Sequence, residues 1–220
     1  SDGALVDVLS FDNTYLATGH FQGGGSISVR VISFEKREIN QLFWNEKIAN
    51  AYTFRQNLQF LTSDTNTFRD GIPGLIVDIY NDVAVIQCHS IGVHLAADMI
   101  AKAIAVQFKH SIGTIYLRGR DTLPEQYSST VTDSFLLGNK EETTVSENGI
   151  KFKINVITGQ KTGFFLDQRE NRKLVGDYSE NKTVLNCFCY TGGFSLYALY
   201  HGALTVDSVD ISQKAVDLME

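Results

Sequence analysis

The sequence predicts a mixed fold, α/β plus α+β: a small β module, a middle α+β unit, and the opening of a doubly wound α/β sheet. Three observations predict it. Residues 5–34 are short segments rich in β-branched and aromatic residues, broken by Asp12-Asn13 and Gly23-Gly24-Gly25. From Gly74 the order is strand, strand, helix, strands. Residues 184–212 then alternate strand, glycine turn, helix and strand.

Taken in order, LVDVLS, YLATGHF and SISVRVISF read as the strands of a partial barrel or sandwich. A helix is expected from Glu38 to Leu58, because Ile39, Leu42, Phe43, Ala51 and Tyr52 recur near the helical period without proline. Phe43 and Trp44 are expected in the core rather than on a base-stacking face. LIVDIYNDVAVIQCHS is a hairpin around Asn81-Asp82. Residues 92–109 read as one helix with Ala96, Ile100, Ile104 and Phe108 on one face. The strands TIYLRG and FLLGN follow, then a second hairpin around Asn148-Gly149, the strongest short turn signal in the chain. The polar stretch from Gly159 leads into a helix over Asp167–Tyr178. TVLNCFC is a buried strand, TGGFSLYALYH a turn entering a helix that Gly202 stops, TVDSVD a strand, and Ser212 the cap of a last helix. The expected domains are residues 1–36, 37–157 and 158–220.

Bulk properties exclude some classes. No apolar run approaches the roughly 18–20 residues of a membrane span, and SDGALVDVLS lacks the basic and apolar regions of a secretory signal. Three cysteines, Cys88, Cys187 and Cys189, suit neither a disulfide framework nor a zinc site and point to a reducing cytoplasm. The net charge of −6 argues mildly against nucleic acid. Lys161, Arg169, Arg172 and Lys173 outweigh Asp167 and Glu170 by two charges, and read as a solvated helix face. His89 and His94 have no third ligand at metal spacing, and His20, His110 and His201 are isolated, so all five read as surface or satisfied histidines and no metal is expected.

The chemistry lies in the strand–glycine turn–helix. Ligands of doubly wound sheets bind beyond the carboxyl ends of the strands, and Gly192-Gly193 lets backbone approach a ligand there without a Cβ in the way. Asp210 follows Gly192 by 18 residues, at the end of the next strand, where a carboxylate can accept from both ribose hydroxyls. Dinucleotide folds need G-x-G-x-x-G to seat a pyrophosphate on the helix N-terminus. This chain has Y-T-G-G-F instead, which favours S-adenosylmethionine (SAM), a nucleoside without phosphate, over NAD.

VLNCFCYTGGFSL resembles the first SAM motif, DLFCYTGGF, of a bacterial family of ribosomal RNA methyltransferases. GQKTGFFLDQRENR resembles that family's second signature, DGIPGLIVDIYND the start of its middle domain, and LVDVLS with SVRVIS its N-terminal PUA domain. The resemblance implies a partial PUA-like β module, a middle α+β domain and the start of a Rossmann-like SAM methyltransferase domain. Its best-known members are similar to cytosine-C5 methyltransferases of large-subunit ribosomal RNA, in which a cysteine thiolate adds to C6 so that C5 can attack the sulfonium methyl, on a flipped base. Some relatives modify guanine. Implied partners are ribosomal RNA, without a membrane, and a homodimer is left open.

Carried over by residue, Phe188, Tyr190, Thr191, Gly192 and Gly193 are implied to line the SAM site, with Asp210 on the ribose. Thr162, Gly163, Phe165, Asp167 and Arg169 are implied to close over the cofactor or the target base, with an Asp167–Arg169 ion pair as the alternative. Three departures stand out. Asn186 replaces an Asp, Cys187 replaces a Leu as a small core residue, and TNTFRDGIPGL is shorter than usual between the Arg and the Asp-Gly. Cys187 and Cys189 read as buried structural thiols. No catalytic residue is assigned; the nucleophile and an Asp-Pro-Pro motif are expected beyond Glu220, which makes the chain a fragment. The competing readings are a non-catalytic RNA-binding module and a nicotinamide-dependent oxidoreductase.

Overall fold

Strands β1 (Leu5–Leu9), β2 (Tyr15–Phe21) and β3 (Val29–Ser33) form an antiparallel sheet in the order β1-β2-β3. Asn13 takes a positive φ of 65° in the first turn, as a side chain that tolerates the left-handed region can. The computed structural model describes residues 1–58, 64–109 and 111–219. It divides into two units, Ser1–Lys140 and Glu141–Glu220.

In the first unit, helix α1 (Gln41–Asn57) starts at Asn40, whose side-chain oxygen accepts from the N–H groups of Leu42 (3.0 Å) and Phe43 (3.2 Å). It buries Phe43, Trp44, Ile48 and Ala51, so both aromatic residues belong to the core as expected. A mixed five-stranded sheet follows, in the order β4 (Thr65–Phe68), β5 (Leu75–Tyr80), β6 (Val83–Cys88), β7 (Thr114–Arg118) and β8 (Ser134–Leu137). Only β6 and β7 pair in parallel. β5 and β6 meet at Asn81, which has φ 55°, and β6 is buried on both faces, as its apolar run Val83–Ile86 requires.

The single helix expected over residues 92–109 is two, α2 (Ile91–Leu95) and α3 (Ala97–Gln107), because Ala96 leaves helical geometry at ψ 2°. Ala96, Ile100 and Ile104 nevertheless share the buried face. Two elements escaped the sequence, β4 and the short helix α4 (Glu125–Ser128), since four residues are too few to show a period.

The second unit opens with the hairpin β9 (Glu142–Glu147) and β10 (Ile150–Asn155), closed by Asn148 (φ 51°) and Gly149 (φ 86°). A single 3-10 turn, Leu166–Gln168, runs into α5 (Arg169–Asp177). Then β11 (Thr183–Cys187), α6 (Gly193–Tyr200), β12 (Thr205–Val209) and α7 (Gln213–Asp217) complete the alternation, with β11 and β12 parallel. Gly202, at φ 91°, ends α6, and the Ser212 hydroxyl accepts from Ala215 N–H to cap α7. The hairpin contacts α6, and Phe152 of β10 packs 4.8 Å from Phe164 and 6.4 Å from Tyr197 between ring centroids.

One face of the β11–β12 pair is covered. There Asn186 Nδ2 donates to Ser195 Oγ (2.8 Å), which shares a hydrogen bond with Ser208 Oγ (2.7 Å), joining both strands to α6. The departure at Asn186 is thus a fastening between strand and helix. On the opposite face Leu185, Cys187 and Val209 are exposed, which corrects the expectation of a buried Cys187. The alternation of a strand sends Cys187 to the face that no element covers among the described residues. Cys88 and Cys189 are buried, and burial pushes the Cys88 thiol up to about 12. In native buffer, an aromatic disulfide reagent is therefore expected to label one thiol rapidly, and peptide mapping should place it at Cys187; equal labelling at all three cysteines would contradict this burial.

Candidate cofactor site

Immediately after β11 the chain turns through a loop of unusual backbone. Phe188 (φ 60°), Tyr190 (φ 51°) and Gly192 (φ 74°) all lie in the left-handed region. Gly192 caps α6, and a Cβ there would lie 2.4 Å from Met219 Sδ. Asp210, just past β12, holds this loop: its carboxylate accepts from Tyr190 N–H (2.7 Å) and Ser212 N–H (2.8 Å). The hydrogen bonds from Ser212 and then Tyr190 hold the Asp210 carboxyl below the usual 3.8, so it stays charged near neutrality. Apart from any ligand, this carboxylate ties two strand ends together.

The GQKTGFF segment folds against the same loop. Gly163 adopts φ 122°, and a Cβ would approach Ile154 Cγ2 to 2.7 Å. Gly163→Ala is therefore expected to cost about 2 kcal/mol through strain and overpacking, read as a lowered urea midpoint; an unchanged midpoint would contradict the geometry. Tyr190 joins the two segments: its hydroxyl accepts from Gln160 N–H (2.8 Å) and donates to Gly163 O (3.2 Å), while its ring meets Phe165 edge-on at 5.6 Å.

Beneath them lies an ion pair that sequence reading missed. Arg172 of α5 is 2% exposed, and its Nε and Nη2 donate to the two carboxylate oxygens of Glu147 at 2.8 and 2.7 Å. Its Nη1 donates to Phe165 O (2.8 Å), and its guanidinium lies 4.4 Å from the Phe164 ring centroid. Tyr197 adds a hydrogen bond to Glu147 (3.0 Å), and burial followed by the Glu147 charge pushes its phenol up to about 12. Arg172 is thus buried and paired, not part of a solvated face. The signal available was spacing: Arg172 stands four residues before Gly176, and these two share the buried face of α5.

Between the two segments is a cleft of about 460 Å³, the size range of small-molecule sites. Of the residues implied for the cofactor, Phe165, Phe188, Tyr190, Thr191, Gly193 and Asp210 line it. Gly192, Thr162, Gly163, Asp167 and Arg169 do not. Thr162 is buried, while Asp167 pairs with Lys161 (2.7 Å) and Arg169 with Glu170 (3.1 Å), which replaces the alternative of an Asp167–Arg169 pair. Gln160, Phe164, Gln168, Arg172, Cys189, Phe194 and Ile211 line the cleft without having been singled out as cofactor ligands. The residues suit a nucleoside: an Asp210 carboxylate whose two oxygens each take one backbone N–H and keep a further lone pair, apolar walls, and a Gly193 whose Cβ would crowd Arg172 Cδ at 3.2 Å.

The remaining titratable groups offer no second centre. No cluster of three metal-ligating side chains occurs among the described residues. His94 bonds Tyr127 (3.0 Å) and His201 pairs with Asp177 (3.4 Å). His20 departs from expectation: it is buried, and its Nδ1 has no partner. His110 lies outside the described residues.

Residues 116–218 match the family model of the S-adenosylmethionine-dependent methyltransferases, and residues 1–34 that of the PUA-like domain. The ribosomal RNA large subunit methyltransferase I of Aeromonas hydrophila is 37% identical over 99% of this chain and 56% of its own length. That of Vibrio campbellii is 34% identical over 98% and 55%. The chain thus spans a little over half the length of the curated relatives it matches. Among solved structures, a candidate SAM-dependent methyltransferase from Streptococcus mutans superposes with TM-score 0.82 at 25% identity, covering all of this chain and 58% of that one. A candidate methyltransferase solved with SAH gives 0.83 at 24% identity, over 100% and 57%. The fold is that of a PUA-like module followed by the SAM-dependent methyltransferase architecture.

Proposed function

We propose that this chain is the cofactor-holding part of a SAM-dependent RNA methyltransferase that acts on cytosine C5 of large-subunit ribosomal RNA in the cytoplasm. The domain division is then a PUA-like module over 1–36, a middle domain over 37–157 and the SAM domain from 158. The observation that carries the proposal is the joining of two loops around one cleft: Tyr190 binds the GQKTG segment through its hydroxyl and Asp210 through its amide.

Phe165, Phe188, Tyr190, Thr191, Gly193 and Asp210 would hold the cofactor, which when bound supplies an electrophilic methyl on a sulfonium. Asp210, charged at neutral pH, would accept from the ribose hydroxyls. Phe164 and Phe165 wall the cleft from one side, and Arg172 fixes both by stacking on the first and bonding the carbonyl of the second. Thr162, Gly163, Asp167 and Arg169 act behind this wall, shaping the loop. Cys189 is not suited to attack a base, because burial and then the Asp210 charge raise its pKa and keep it a thiol.

Calorimetric titration of the full chain with SAM and with SAH tests the reading. One site with micromolar affinity is expected, and the absence of heat with either ligand would remove the proposal. The target is read separately with the full-length protein: incubation with labelled SAM and unmodified ribosomal RNA, then nucleoside mass spectrometry, should give 5-methylcytidine. A methylated guanosine would move the assignment to guanine. The state of Cys189 and the burial of Cys88 also favour a second reading, in which this chain contributes RNA binding alone; RNA binding with no heat from SAM or SAH is the result that would support it.

A further inference from the structure

In the first unit β2 packs on α2, and His20 lies at that contact. Its ring is 4% exposed, rests against the backbone of Gly92 in α2, and stacks on Trp44 of α1 with planes within 10° of parallel. The fit to α2 is close: a Cβ on Gly92 would come within 2.1 Å of His20 Cγ. Nδ1 is out of reach of water and has no hydrogen-bond partner among the described residues. A neutral imidazole needs a hydrogen on only one of its nitrogens, so Nδ1 can be left bare. An imidazolium carries hydrogen on both, which buries an unpaired N–H together with a charge.

The surrounding elements offer no counter-charge. Opposite His20 stand Leu5 on β1 and Arg30 on β3, the second a like charge. Asp7 of β1 takes the Thr18 hydroxyl at 2.8 Å, and that hydroxyl also shares a hydrogen bond with Tyr15 of β2. On α2 the titratable group is His94, which is bonded to Tyr127. On α1, Glu46 pairs with Arg37, Arg55 with Asp70, Lys47 donates to Gly71 O, and Tyr52 meets Phe108 edge-on. The Trp44 face attracts cations, but its centroid, 6.4 Å away, lies beyond the roughly 6 Å reach of that interaction. Burial alone moves the His20 pKa, and it moves it down.

We infer that His20 is an acid-operated latch. While the ring is neutral, the β1–β3 sheet stays seated on α1 and α2; when the ring takes a proton, that seat opens so that Nδ1–H reaches water. A groove of about 240 Å³ runs beside the ring between sheet and helices, past Leu5, Leu95 and Met99, so water stands close once the seat loosens. The fold favours the neutral form. Stability is therefore full above the ordinary value of 6.5 and falls as pH drops from there toward the lowered folded-state value. The inference stands on the first unit alone, so its failure leaves the SAM reading intact, and the converse holds.

Trp44 is the only tryptophan of the 220 residues, so its emission reports this seat without a label. Urea unfolding of the full chain is followed through it from pH 7.5 to pH 5.0. One proton taken up on opening raises the unfolding equilibrium constant by up to about tenfold for each pH unit below 6.5. Other groups can titrate across this range, so the measure is the difference from His20→Phe, which keeps a ring but no titratable nitrogen. The profile of that variant is expected to be shallower by close to one proton. If it loses its cooperative transition, His20→Gln replaces it. In the unaltered chain, the imidazole NMR signal of His20 is expected to hold its neutral position below pH 6 until Trp44 emission shifts. Equal slopes with and without His20 would overturn the inference, as would a His20 signal that titrates near pH 6.5 while Trp44 emission stays unchanged.

Discussion

Glu147→Ala is expected to lower the unfolding free energy by about 3–5 kcal/mol, because it leaves the Arg172 guanidinium buried without its counter-charge. Both side chains are almost wholly removed from water, and the carboxylate takes two donors from Arg172 and one from Tyr197. The loss reaches beyond the pair, since the same guanidinium holds the Phe165 carbonyl and stacks on Phe164. Glu147→Gln keeps an acceptor and should lose less. A double change, Glu147→Leu with Arg172→Met, removes both charges and should recover much of the stability, as apolar replacements of buried pairs often do. Urea unfolding followed by circular dichroism measures all three. A Glu147→Ala cost under about 1 kcal/mol would mean that the pair is solvated in solution and not the buried one described.

Asp210→Ala is expected to reduce SAM and SAH affinity about 100-fold or more, with little change in overall fold. Hydrogen bonds to a charged group contribute roughly 1.5–3 kcal/mol each, and two to the ribose would account for that loss. The same change frees Tyr190 N–H and Ser212 N–H, so the loop also loses its anchor. The sign of the pH dependence follows from the lowered pKa. A carboxyl held below 3.8 contributes above that value, and its contribution is lost only as pH falls through the lowered folded-state value. Affinity should therefore be flat from pH 8 to pH 5 as far as Asp210 is concerned. Calorimetry across that range checks it, and a fall centred near pH 6 would assign the control to another group.

Much of this was legible in the sequence where a local rule acts alone. Asn148-Gly149 specifies its turn from two residues, and Gly202 and Ser212 mark helix ends by the same short-range logic. The cleft was legible through Gly192-Gly193 and Asp210, which a glycine turn and an offset along the chain can locate. What failed depends on contacts between distant segments. Arg172 looked like one of several surface charges, and only its meeting with Glu147, 25 residues away, buries it. Tyr190 was read as a wall of the site, whereas its hydroxyl is also a fastening to Gln160 and Gly163. Cys187 was placed inside by its apolar strand, and period-2 alternation sends it out because one face of that strand has no cover among the described residues. The break at Ala96 had no marker, since alanine is the best helix former.

The left-handed backbone at Phe188 and Tyr190 sets two goals of protein engineering against each other. Each L-residue held there costs roughly 1–2 kcal/mol that glycine would not, and both side chains wall the cleft. A library screened for heat resistance alone should therefore favour glycine or asparagine at these positions, while one screened on immobilised SAH should keep the aromatic pair. Directed evolution would have to choose which property to improve at the same two codons.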